Sequence, residues 1–111
     1  MAFNRYVARS ITTVQTVRTS VTGTADVIIG MRVTNRTASA IKVSAYITGG
    51  GGDNYLVGGT DPATMGADVP VGGSIVIISG DADKVVLVNG DAVKVIATGA
   101  ADCILSVLEN A

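Results

Sequence analysis

Two alternating runs dominate the chain between residues 24 and 48. In Asp26–Thr34 the apolar positions Val27, Ile29, Met31 and Val33 alternate with Ile28, Gly30, Arg32 and Thr34. In Ile41–Thr48, Ile41, Val43, Ala45 and Ile47 alternate with Lys42, Ser44, Tyr46 and Thr48. A period of two marks a strand with one face on a core and the other toward solvent. Asn35-Arg36-Thr37-Ala38-Ser39 between the runs is turn chemistry, so the pattern predicts an antiparallel hairpin. Later runs continue the theme: a short strand at 54–57, then strands at 74–78, 84–88, 91–97 and 102–109. Gly80-Asp81-Ala82-Asp83, Asn89-Gly90-Asp91 and Thr98-Gly99-Ala100 separate the last four. Asn-Gly is the strongest of these turn signals, because a type I′ turn needs positive φ at both central residues.

The remaining segments are weaker. Residues 1–22 contain many threonines and no clean period, so they read as an extended arm or edge strand, with pairing from about Ser10 to Thr16. Gly23 marks the entry to the main body, 23–111. Gly49-Gly50-Gly51-Gly52-Asp53 reads as a hairpin tip rather than a phosphate loop, because no Lys-Ser/Thr ending or helix follows. Gly58–Gly73, with Pro62 and Pro70, is long for a compact domain and reads as a crossover between sheets, with Met65 and Val69 tucked onto the core. Short strands about ten residues apart predict an all-β fold. The expected form is a small antiparallel β-sandwich, jelly-roll-like, of seven to eight strands.

Composition sharpens this picture. Of 111 residues 48% are hydrophobic, with 14 Gly, one Phe and no Trp, which suits an aliphatic core with many tight turns. No apolar run approaches the roughly 20 residues of a spanning helix, and no signal peptide is recognised at the start. Cys103, the lone cysteine, lies in an apolar run and reads as a buried hydrophobe, in keeping with synthesis in a reducing cytoplasm. Several strands are apolar on both faces. Val76, Ile78, Val86, Val88, Ile96, Ile104 and Leu108 exceed what solvent-facing sides should expose, which predicts burial in a subunit contact.

Charge adds one feature. The net charge of −1 divides into +3 over residues 1–22 (Arg5, Arg9, Arg18) and −4 over the rest, which reads either as an arm that docks on a neighbour's acidic surface or as an ordinary scatter of three arginines. Candidate chemistry is sparse. Without histidine, His-based acid–base catalysis, triads and metal ligation are excluded. The acids are dispersed, mostly beside turns. Asp81-Ala82-Asp83 could seed a calcium loop, but Lys84 follows where another ligand is needed. Basic stripes with aromatics, expected of a nucleic-acid binder, are missing. Tyr46 and Tyr55 read as cross-strand surface aromatics, with sugar stacking as the functional alternative. Catalytic, cofactor-binding and metal residues are therefore expected to be none, and the chain is expected not to be an enzyme. A small hydrolase relying on one Asp is the rival.

Thr34–Thr48, Asp53–Val57, Val69–Ser74, the Gly80-Asp81…Lys84–Leu87…Gly90-Asp91…Val93-Lys94-Val95 order and Ile104–Glu109 together resemble small structural proteins of tailed bacteriophages. The resemblance covers about two thirds of the chain. It implies a virion component, most naturally a capsid decoration (cement) protein that bridges shell subunits. A collar, neck or tail accessory protein is the first alternative and a receptor- or glycan-binding module the second. The implied partners are further copies of the chain, a trimer being favoured, and the major capsid protein, with no nucleic acid or membrane. The expected contact segments are 1–22, 49–53 and 58–73.

Overall fold

The computed structural model describes residues 2–21, 25–79, 85–88 and 90–109. Gly23, the expected turn Gly80-Asp81-Ala82-Asp83, Lys84 at the start of the expected 84–88 strand, and Asn89 lie outside the described residues. In chain order the elements are β1 (Ala2–Ile11), β2 (Gln15–Thr19), β3 (Ala25–Asn35), β4 (Ile41–Gly49), β5 (Gly52–Val57), the one-turn helix α1 (Pro62–Met65), β6 (Ala67–Val69), β7 (Ser74–Ser79), β8 (Val85–Val88), β9 (Ala92–Ala97) and β10 (Ala101–Glu109).

Ten strands fill eight positions. Sheet I runs β1-β10-β3, and β7 and β8 lie end to end along the far edge of β3. Sheet II runs β2-β9-β4, with β5 and β6 end to end along β4. All pairs are antiparallel. With each end-to-end pair taken as one strand, the eight positions make the two-sheet Greek-key order of a jelly roll. The two extra strands arise because the last position of sheet II is interrupted by residues 58–66, while in sheet I β7 ends at Ser79 and β8 begins at Val85.

The segment 24–48 is not a hairpin. β3 bonds to β10, β7 and β8, while β4 bonds to β9, β5 and β6, and residues 36–40 arch from one sheet to the other. Period-two alternation says which face of a strand is buried, not which strand lies beside it, so a hairpin and an arch look alike in sequence. Residues 12–14, 70–73 and 98–100 arch at the same end of the sandwich. Backbone bonds tie neighbouring arches together, Arg36 N–H to Ala100 O (3.0 Å) and Asn35 N–H to Gly73 O (2.9 Å). Asn35, 3% exposed, anchors this end. Its amide donates to the carbonyls of Ser39, Val69 and Pro70, and its Oδ1 accepts from the N–H and hydroxyl of Thr37.

The glycine tip is a true hairpin. Gly49 faces Gly52, and Gly50 and Gly51 have φ of 64° and 89°, the type I′ pattern. Gly90 also has positive φ, and Asp91 N–H closes on Val88 O at 3.1 Å. That turn nevertheless joins β8 in sheet I to β9 in sheet II. The long 58–73 connection does cross between sheets, and Val69 is fully buried. Met65, however, is 56% exposed. It lies over Gly59, where an added Cβ would sit 2.4 Å from its terminal methyl carbon.

Two bulges in the pairings of β3 set the side-chain phase at the centre of sheet I. Ser106 pairs with Gly30 and Val107 with Ile28, leaving Ile29 as an extra residue. The phase flips there, so Ile28 joins Met31 and Val33 in the core and Val27 turns outward, against the simple alternation. Ile77 is the extra residue of β7, which brings Ile78 inward beside Met31. The core between the sheets is aliphatic, with Val33, Cys103, Leu105 and Val107 from sheet I against Val43, Ala45, Val93 and Val95 from sheet II, all fully buried. Each of the larger side chains contributes roughly 1.5–3 kcal/mol.

Candidate functional site

The outer faces of the two sheets differ in chemistry. Across sheet II one row reads Thr16, Lys94, Tyr46 and Tyr55. Its aromatics pair across strands as expected, with centroids 4.9 Å apart and planes tilted by 33°. Burial raises the Tyr46 phenol pKa, with Asp53 and Tyr55 adding to the effect. Lys42 reaches Asp68 at 2.9 Å on the same face. Each of these side chains ends in a polar group, and this face suits water.

Across sheet I the matching row reads Val7, Ile104, Arg32 and Val76, and a second row reads Phe3, Leu108, Val27 and Val86. Among the described residues, six of the ten exposed large hydrophobic side chains lie on this one face: Phe3, Val7, Val76, Val86, Val88 and Ile104. That concentration makes it a patch rather than ordinary scatter. Between the rows a smaller band, Arg5, Ser106, Gly30 and Ser79, leaves a hollow of about 320 Å³ lined by Gly30, Met31, Arg32, Val76, Ile78, Ile104 and Ser106. Of the seven residues expected on outward apolar sides, Val76, Val86, Val88 and Ile104 are exposed here and Leu108 is half-buried on the same face. Ile78 is 2% exposed in the core, moved there by the Ile77 bulge, and Ile96 is half-buried on the outer side of sheet II.

The described part of residues 1–22 forms the edge strand of each sheet, β1 and β2, with a break at 12–14 inside the predicted Ser10–Thr16 strand. Its three arginines separate in role. Arg5 and Arg9 are exposed on β1. Arg18 is instead 16% exposed in an internal clasp at the end opposite the arches. Its Nε–H donates to Asp26 Oδ2 (3.0 Å), its Nη2 forms an ion pair with Glu109 Oε1 (2.9 Å), and its guanidinium lies 4.8 Å from the Tyr6 ring centroid. Tyr6 O–H donates to Glu109 Oε1 at 2.6 Å and the Asn4 amide to Oε2. Those two hydrogen bonds hold the Glu109 carboxyl below its ordinary pKa, and the same bond with Glu109, aided by burial, pushes the Tyr6 phenol up. Asp26 is 1% exposed, and its Oδ1 has no partner among the described residues. The clasp joins β2 of sheet II to β1, β3 and β10 of sheet I. Alternation could not have found it, because its residues are far apart in sequence.

Cys103 is buried, and burial pushes its thiol up to about 12. Among the described residues no group of three Cys, Asp or Glu side chains could hold a metal ion. Residues 58–73 fold α1 against β4. Ala63 and Asp68 there line a second hollow with Ala40, Ile41, Lys42 and Thr98. No family model matches the chain, and neither a curated protein nor a solved structure matches it at a significant level.

Proposed function

We propose that the chain is a non-enzymatic structural protein of a tailed-phage virion, a capsid decoration protein that self-associates and bridges shell subunits. The observation that carries this reading is the apolar outer face of sheet I. A two-sheet sandwich buries one face of each sheet internally, and the remaining apolar face calls for a covering partner. The sequence resemblance supplies the virion context. Jelly rolls occur in viral shell proteins and also in lectins, so the fold agrees with the reading without choosing it. Bridging of this kind works by shape and apolar burial, with symmetry multiplying modest contacts.

The test is quantitative mass spectrometry of density-purified phage particles from the bacterium whose DNA encodes the chain. The expected result is a copy number comparable with that of the main shell protein. A few copies per particle would move the chain to the collar, neck or tail, and absence from particles would overturn the virion reading. A glycan-binding module is the second reading. Tyr46 and Tyr55 favour it, because half-exposed aromatics on a polar face can stack on sugars. It requires a specific glycan whose binding disappears in Tyr46→Ser.

A further inference from the structure

The apolar face of sheet I carries both a projection and a hollow. Phe3, the single phenylalanine, is 74% exposed near one corner. The hollow lies across β10, β3 and β7, between the two bulges, where Gly30 has no side chain to fill it. Its volume of about 320 Å³ is ample, since a cavity of about 150 Å³ already binds benzene. Arg32 lines it and has no ion pair among the described residues. An aromatic ring entering there meets a guanidinium, a favourable cation–π arrangement.

We propose that Phe3 of a second copy seats in the Gly30 hollow, and that the contact is reciprocal in a two-fold pair of sheet I faces. A two-fold axis in the plane of the face can exchange the two positions, so one symmetry operation fills both hollows. A three-fold ring needs two different patches that meet different neighbours. Here projection and hollow share one flat face, and the pair replaces the trimer that the family resemblance favours. The area is sufficient. Four strand positions at about 4.8 Å spacing and some 30 Å of strand length give roughly 600 Å² per copy. Two copies bury roughly 1,200 Å², the lower end of stable interfaces. Arg5 and Arg9 lie along the β1 edge, where they remain solvated at the rim.

The inference rests on the self-association part of the virion reading. Its test needs only purified protein, so its failure would leave incorporation into particles untouched. Sedimentation velocity over a concentration series compares wild type, Phe3→Ser and Gly30→Val. Phe3 is exposed, so its replacement leaves the fold alone. Gly30 lacks positive φ and an added Cβ would lie 3.8 Å from Ser106 Cβ, so valine fits the backbone and occupies the hollow. The wild type is expected to dimerise, and each variant to weaken the dimer by at least about 30-fold, the loss typical of an interface anchor. A monomeric wild type, a trimer or larger ring, or a dimer indifferent to Phe3→Ser would overturn the proposal. If Gly30→Val changes the circular dichroism, Phe3→Ser alone decides.

Discussion

Replacing Arg18 by methionine tests whether the clasp, as well as the apolar core, holds the two sheets together. Methionine keeps much of the aliphatic stem against Tyr6 and removes the guanidinium. The change deletes the bonds to Asp26 and Glu109 and leaves the Asp26 carboxylate, 1% exposed, without its cation. Stranding one partner of a buried pair costs about 3–5 kcal/mol. Domains of this size are stable by only about 5–15 kcal/mol. The loss should therefore be a large share of the whole.

The assay is urea unfolding at pH 7 followed by far-ultraviolet circular dichroism, because the chain has no tryptophan. With a urea slope of about 1–3 kcal/mol per molar, the midpoint should fall by roughly 2 M. Arg18→Met/Asp26→Asn removes the stranded charge and should recover much of the loss, although the amide remains imperfectly bonded. A single-variant loss below about 1 kcal/mol would refute the assignment, since exposed pairs contribute that little. A double variant as unstable as the single would attribute the loss to packing on Tyr6 instead of charge.

Four further outcomes are expected. Asn35→Asp removes the amide donors and sets a carboxylate against three carbonyls, so it should destabilise more than Asn35→Ala, itself worth about 1–3 kcal/mol in thermal or urea unfolding. Gly58→Ala should cost more than Gly51→Ala: both have positive φ, worth about 1–2 kcal/mol, but a Cβ at 58 would lie 2.3 Å from Ser44 Oγ while position 51 is open. Cys103, with its thiol pushed up to about 12, should resist a disulfide reagent at pH 8 in the native state and react at once in denaturant. Glu109 has a depressed folded pKa, so its contribution is present above its ordinary value near 4.5 and fades as pH falls through the lower folded value; Glu109→Gln should flatten that acid limb of stability against pH.

Much of the fold was legible because most strands alternate or are bounded by glycine, asparagine and proline. The Gly50-Gly51 turn was readable because only two consecutive positive-φ residues fit there. The arches were not. Asn35, which fixes the 36–40 arch, resembles any turn asparagine until β6 and Pro70 supply carbonyls from 34 and 35 residues away. The bulges at Ile29 and Ile77 were hidden for a related reason. An extra residue within a continuous apolar run leaves no break in the pattern, and only the partner strand's register exposes it. The outward apolar face was visible as surplus hydrophobicity in β7, β8 and β10. Its unity was not, because β1 brings Phe3 and Val7 to it from the other end of the chain.

The two sheets are near-copies in plan, each with a chain-early edge strand, a chain-late strand, a long central strand and a last position shared by two strands. This equivalence isolates what side chains alone contribute. Val7, Ile104, Arg32 and Val76 occupy in sheet I the row that Thr16, Lys94, Tyr46 and Tyr55 occupy in sheet II. Each row holds one cation, so charge does not separate them. The difference is that threonine and tyrosine end in hydroxyls that water can bond, whereas valine and isoleucine end in methyls. Covering the sheet I row releases water from apolar surface; covering the sheet II row requires replacement partners for its hydroxyls and for the Lys42–Asp68 pair. In any assembly of this protein, the lower-energy orientation therefore turns sheet I inward and leaves sheet II toward solvent. The clasp reinforces that polarity by taking Arg18 out of the surface charge, which leaves Arg5 and Arg9 at the β1 edge of the face that is covered and Arg32 within it.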